Sequence, residues 1–196
     1  MWQSTHYKFE LYKSDVVVEG IDISLLASGT MVHEAKMASE MLKAEGVNAE
    51  VISINMVKPL DKETILKSVK KTNNVIVCEN HNVYGGVYSA IAEMLCQEYP
   101  VKCGVIGVND AFGQVGKYDE LLKAYNMTKE DIVKKAKEQL YSDPAAYFLV
   151  HCGGRKLAIG DRIDEVHKHI LKETKKVPKF RHKKRDAIAS LISALS

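Results

Sequence analysis

The chain has 196 residues, 46% of them hydrophobic and 27% charged, with 12 Gly and 4 Pro. That length suits one domain with an appendage or two small domains, and the composition excludes a wholly disordered, collagen-like or linker-like chain. The net charge of +3 is unevenly spread: residues 1–150 carry 16 Lys+Arg against 20 Asp+Glu, whereas residues 151–196 carry 12 against 5. A mildly acidic body with a basic tail predicts two segments with different roles.

The longest uncharged stretches, such as Asn80–Ala92 and Pro144–Gly154, fall short of the roughly 20 apolar residues that a membrane-spanning helix needs. The start, Met1–His6, is polar and shows no secretory signal. Cys78, Cys96, Cys103 and Cys152 form no C-x-x-C pair. Neither a disulfide scaffold nor a zinc site is favoured, and reduced thiols in a cytoplasmic protein with no membrane partner are expected.

Along the chain the hydrophobic period switches repeatedly between strand and helix. Lys8–Tyr12 is a candidate edge strand, and Ile21–Ala27 starts with alternation and ends in an apolar run, as a strand entering a buried sheet does. Ser28-Gly29-Thr30 breaks it. Met31, Ala35, Ala38, Met41 and Leu42 then recur at helical spacing, with Gly46 where a helix terminates. Val47–Ile54 is the next strand candidate, followed by the turn Val57–Leu60 and by Asp61 as N-cap of a helix through Ile65, Leu66 and Val69.

Asn74–Cys78 reads as a strand, Gly85-Gly86 precedes a helix carrying Val87, Ala90, Ile91, Met94 and Leu95, and Val101–Val108 reads as another strand. Leu121, Leu122 and Tyr125 suggest a short helix. Thr128 then caps a helix to about Tyr141, with Glu130 and Asp131 in its dipole-favoured first turn. Alternating strands and helices give βαβ units. The expected fold is therefore α/β, a three-layer αβα arrangement around a mostly parallel sheet over residues 8–141. A basic extension over residues 142–196, with helices near Asp161–Lys175 and Ala187–Leu195, is expected to follow.

In open parallel sheets, ligands gather outside the carboxyl ends of the strands. Three such ends carry polar loops here: Ser28-Gly29-Thr30, Glu79-Asn80-His81 running to Gly85-Gly86, and Asn109-Asp110 running to Gly113. Ser28, Gly29, Thr30, Glu79, Asn80, His81 and Asp110 are thus candidate ligand or interface residues, although turns and caps select the same residue types. His81 and Glu79 could form an acid/base pair, but a loop spacing of two fixes no geometry, and a structural or interface histidine is the favoured reading because it is the easier condition to meet.

G-x-G-x-x-G, the P-loop, G-x-S-x-G and H-E-x-x-H are all absent. His167 and His169 are spaced so that a helix would point them to different faces, and Gly153-Gly154-Arg155-Lys156 is a weak phosphate signal beside a solvated loop. The basic tail offers only Phe180 as a stacking aromatic, which argues against nucleic acid as a partner and for a solvated segment.

The ordered set Ser28-Gly29-Thr30, Lys58-Pro59-Leu60-Asp61, Glu79-Asn80-His81 with Gly85-Gly86, and Gly107–Gly113 with Gly116 resembles the C-terminal domain of transketolases, as found in the C-terminal half of split transketolases. Each motif is weak alone, and the set spans roughly residues 8 to 140. It is shared by a superfamily that includes deoxyxylulose-phosphate synthase and the β subunits of 2-oxo-acid dehydrogenases. Glu79-Asn80-His81 departs from the family's Glu-Glu-His at its middle position.

The resemblance implies thiamine-diphosphate chemistry in the complete enzyme, transferring a two-carbon ketol unit between sugar phosphates of the pentose phosphate pathway. It also implies that the diphosphate, its Mg and the activating glutamate belong to two other domains. The G-D-G motif that holds the diphosphate is missing, since the only Gly-Asp pair, Gly160-Asp161, continues with Arg162. No catalytic, cofactor-binding or metal residue is therefore expected in this stretch. The implied partner is a set of cofactor-binding domains or a subunit carrying them, in a homo- or hetero-oligomer. Residues 142–196 have no counterpart in the family pattern. A stand-alone subunit-interaction module and a small anion-binding protein remain the alternatives.

Overall fold

The computed structural model describes residues 10–141. The chain runs β1 (Asp15–Val18), β2 (Ile23–Ala27), α1 (Met31–Ala44), β3 (Ala49–Ser53), α2 (Lys62–Thr72), β4 (Val75–Asn82), α3 (Val87–Glu98), β5 (Cys103–Val108), α4 (Tyr118–Ala124) and α5 (Lys129–Tyr141). The sheet order is β1-β3-β2-β4-β5. β3, β2, β4 and β5 run parallel, and β1 joins one edge antiparallel to β3.

All five residues of β2 and all five of β3 are buried, the mark of parallel strands covered on both faces. The period of two then sorts side chains between two cores. Ile23, Leu25, Ala27, Ile76 and Cys78 face α1 and α5, against Ala35, Ala38, Leu42, Ile132 and Ala136. Leu26, Ile52, Val75 and Val77 face α2 and α3, against Ile65, Val69, Ile91, Met94 and Leu95. Each fully buried Leu or Ile contributes about 1.5–3 kcal/mol. The three-layer α/β architecture expected from the periodicity is what forms.

Local signals place the element ends. Gly46, at φ 83°, closes α1, where glycine adopts the left-handed conformation without penalty. Asn73, at φ 52°, closes α2. Asp61 caps α2 by accepting the Thr64 N–H at 3.2 Å. Thr128 and Asp131 cap α5 reciprocally, with the Thr128 N–H donating to Asp131 Oδ2 at 3.0 Å and the Asp131 N–H to Thr128 Oγ1 at 3.4 Å.

Two expectations need correction. The edge strand is Asp15–Val18, whereas of the expected Lys8–Tyr12 strand Leu11 and Tyr12 lie in a turn and residues 8–9 lie outside the described residues. Tyr12 sits at φ 67°, which ends any extended run, and the β-branched Val16-Val17-Val18 fits a pleated surface better. Second, β4 continues beyond Cys78 to Asn82, so Glu79-Asn80-His81 belongs to the strand and not to a loop after it. The readings of residues 142–196, including the tail helices, the basic run, Gly153–Lys156 and His167/His169, lie outside the described residues.

Candidate functional site

Because β2, β4 and β5 are adjacent and parallel, their carboxyl ends bring the three polar segments to one edge of the sheet. The Ser28 N–H donates to the Cys78 carbonyl at 3.0 Å. Asn80 Nδ2 donates to Thr30 Oγ1 at 3.3 Å, which ties the β2 loop to β4. Gly29, at φ 55°, passes under the same Asn80, whose Oδ1 would lie 3.8 Å from a Cβ on that glycine. On the other side, Asn82 Nδ2 donates to Asp110 Oδ1 at 3.4 Å and the Val83 N–H to the Val108 carbonyl at 3.0 Å. Five of the seven candidate residues, Ser28, Gly29, Thr30, Asn80 and Asp110, are thus joined through Asn80 and Asn82 or lie directly beside those links, and His81 is exposed between the two asparagines.

Glu79 has a different task. It is 1% exposed. Its Oε2 accepts the Val87 N–H at 2.8 Å and its Oε1 the Tyr88 N–H at 3.1 Å. Gly86 is the N-cap of α3 and has no side chain to cap with, so a carboxylate arriving from the sheet satisfies the first amides and faces the positive end of the helix dipole. Both oxygens are committed to α3, which leaves no acid/base dyad with His81.

The signal for this arrangement is present in the sequence. Val75, Val77 and Glu79 alternate onto the face that α3 covers, and Gly85-Gly86 leaves that helix without a cap of its own. Continued alternation would have buried His81 too. The β4–β5 register is irregular between Cys78 and Asn82, with Cys78 opposite Ile106 and Asn82 opposite Val108, and this releases His81 to solvent.

Past β5, residues 109–120 are all exposed, yet the segment is held in place. The Tyr125 hydroxyl donates to the Phe112 carbonyl and accepts the Gln114 N–H, each at 2.9 Å. Lys117 and Glu120 close the next turn, the Lys117 N–H donating to Glu120 Oε2 at 3.2 Å.

A second polar cluster lies at the amino end of the sheet. Glu50, buried in β3, accepts from the Ser68 hydroxyl and from Lys71 Nζ at 2.5 Å. Ser24 Oγ lies 2.7 Å from both Ser68 Oγ and Thr72 Oγ1. Burial lowers the Lys71 pKa, but the contacts with Glu50 and Glu19 outweigh it and raise it overall. No motif marks this cluster. Its sequence signal is a lone charge inside the apolar run Val47–Ile54, which must find partners when buried.

Among the described residues, no group of three or more His, Cys, Asp or Glu is placed to hold a metal ion. No helix there is long and apolar enough to cross a membrane. With Glu79 used by α3, the carboxyl edge offers Asp110, His81 and hydroxyl and amide groups, which do not make a diphosphate–metal site.

Residues 12–132 match the family model described as "Transketolase, C-terminal domain". The chain belongs to the transketolase C-terminal domain family. It is similar to the 6-deoxy-6-sulfo-D-fructose transketolase subunit SqwH of Clostridium sp. (strain MSTE9), 42% identical over 135 residues, a match covering 69% of this chain and 42% of that protein. It is also similar to an apulose-4-phosphate transketolase subunit of Phocaeicola vulgatus, 32% identical over 138 residues, covering 70% and 44% respectively. Among solved structures, a split-gene transketolase described as an inactive β4 tetramer superposes with a TM-score of 0.66 at 37% identity, covering 71% of this chain and 45% of that one. This transketolase-family chain spans less than half the length of these relatives.

Proposed function

We propose that this chain supplies the C-terminal domain of a thiamine-diphosphate-dependent, transketolase-type transferase of the cytoplasm. It works only when assembled with the domains that bind the cofactor. The observation that carries the reading is the match over residues 12–132 to a domain whose relatives are named as transketolase subunits.

The described residues do not fit the cofactor's diphosphate and its divalent metal, so no step of ketol transfer is assigned to them. Their contribution is architectural. The sheet presents Ser28, Gly29, Thr30, Asn80, His81 and Asp110 as one polar edge, which helps to shape the approach of a sugar phosphate and to seat neighbouring subunits in a homo- or hetero-oligomer. The β4 assembly of the split-gene relative is consistent with self-association of such a domain.

The test is transketolase activity, with a ketose phosphate donor and an aldose phosphate acceptor in thiamine diphosphate and magnesium. The purified chain is assayed with and without the cofactor-binding subunit of a split transketolase. Activity only on mixing is expected. Turnover by the chain alone, or calorimetric binding of thiamine diphosphate to it, would sink the reading, as would inactivity in the mixture.

A further inference from the structure

The segment between β5 and α4 combines exposed apolar side chains with a held backbone. Its apolar side chains are fully out of contact with the domain: Phe112 is 98% and Val115 106% exposed. It is nevertheless held to the domain at its start, through a side chain, and at mid-stretch, through the backbone. Asp110 is held by Asn82, and the Phe112 carbonyl and Gln114 amide are held by the single hydroxyl of Tyr125. An exposed Phe costs free energy in water and contributes nothing to this domain's own core, so holding it in one place makes sense where something covers it.

The tip, Ala111-Phe112-Gly113-Gln114-Val115-Gly116, contains no charge, and Asp110, Lys117, Asp119 and Glu120 flank it. That is the anatomy of an interface centre with a polar rim. Tyr84, 69% exposed, stands on the adjoining loop, whose Val83 N–H pairs with Val108 at the root of the arm.

We infer that this arm is the docking element through which the domain engages a cofactor-binding transketolase subunit, with Phe112 and Val115 entering an uncharged apolar pocket on that subunit. The inference rests on the function proposed above and names the surface that function needs. The choice of occupant comes from length and position. More than half of each relative lies outside the region this chain matches, so in those proteins the domain has a larger neighbour to meet. The arm projects from the same carboxyl edge as the polar loops. Because the arm is held before binding, little ordering entropy is lost on docking.

The experiment measures binding of the full 196-residue chain to the cofactor-binding subunit of a split transketolase, by calorimetry and by light scattering after gel filtration. The double variant Phe112→Ser/Val115→Ser is compared with the wild type. Both side chains are exposed, so the variant should unfold at the same temperature and keep the same self-association. The expected result is a loss of affinity for the subunit of tenfold or more, with transferase activity of the mixture falling in step. Wild-type affinity in the variant would overturn the inference and leave the proposed function standing. Loss of self-association with affinity retained would also overturn it, since the arm would then join copies of this chain. Failure of the wild type to bind the subunit at all would overturn the proposed function and this inference together.

Discussion

Glu79 and Gly86 are fitted to each other: a Cβ on Gly86 would lie 2.1 Å from Glu79 Oε2. The carboxylate reaches the amides of Val87 and Tyr88 only because the residue at the helix entrance has no side chain. Gly107 completes the arrangement from the next strand, where a Cβ would come within 3.2 Å of Glu79 Cγ and 2.9 Å of Val83 Cγ1.

Removing the carboxylate leaves two amides of α3 without their partner in a half-buried setting. Glu79→Ala should therefore destabilise the domain by about 3 kcal/mol, and Glu79→Gln by less, because the amide keeps one acceptor. Gly86→Ala should be comparably harmful through the clash. The double variant Glu79→Ala/Gly86→Ala should be less unstable than the sum of the single changes, since the Glu79 part of the clash is gone and only the Asn82 carbonyl, 2.6 Å from the same Cβ, remains. Urea unfolding of the four proteins gives the coupling, and strict additivity would show that the two residues do not constrain each other.

Asp61 joins α2 to the segment that leads into β1. One oxygen caps Thr64 and the other accepts the Ser14 N–H at 2.8 Å. Burial raises the carboxyl pKa, but these N–H donors and Lys13 overcome that and hold it below the usual value. A folded pKa below the unfolded one adds stability above about pH 4, which is lost as pH falls through the folded value. Asp61→Ala should cost about 1 kcal/mol or somewhat more at pH 7. The gap between wild type and variant should narrow as pH falls below about 4. A gap independent of pH would show that the charge on Asp61 does not matter.

The thiols should react in two classes. Burial pushes Cys103 up to about 12, with Cys96 adding to the shift. Burial also pushes Cys78 well above the ordinary thiol range, while Cys96 is exposed. In a Cys152→Ser chain at pH 8, an aromatic disulfide reagent should titrate one thiol quickly and the other two only on unfolding. Three equally fast thiols would mean that β4 and the start of β5 open readily.

The arm after β5 depends on one hydroxyl. Tyr125→Phe removes the partner of both the Phe112 carbonyl and the Gln114 amide. Global stability should fall by about 1 kcal/mol or less, because both groups can turn to water. Hydrogen exchange at the Gln114 amide should nevertheless rise at least tenfold. Unchanged exchange there would mean that the arm is held by something other than Tyr125.

Local chemistry is enough to read the order of elements and the class of fold. The apolar period of each segment, the caps at Asp61 and Thr128 and the breaks at Gly46 and Gly85-Gly86 act over a few residues and are visible without neighbours. The ordered loop motifs also point to the family. Long-range pairing is not legible in the same way. Nothing local says that β2 lies between β3 and β4, yet that adjacency is what puts Thr30 within reach of Asn80.

Alternation alone favours Lys8–Tyr12 as the edge strand, because it cannot weigh a left-handed Tyr12 against the pairing that Val16 and Val18 make with β3. Glu79 shows the same limit most clearly. Its type and position suit catalysis as well as capping, and only the arrival of α3 over that face of β4 commits both oxygens. A hydrogen-bonding group takes its role from the partners that folding brings to it, and those partners are set by strand order and helix placement across the whole domain.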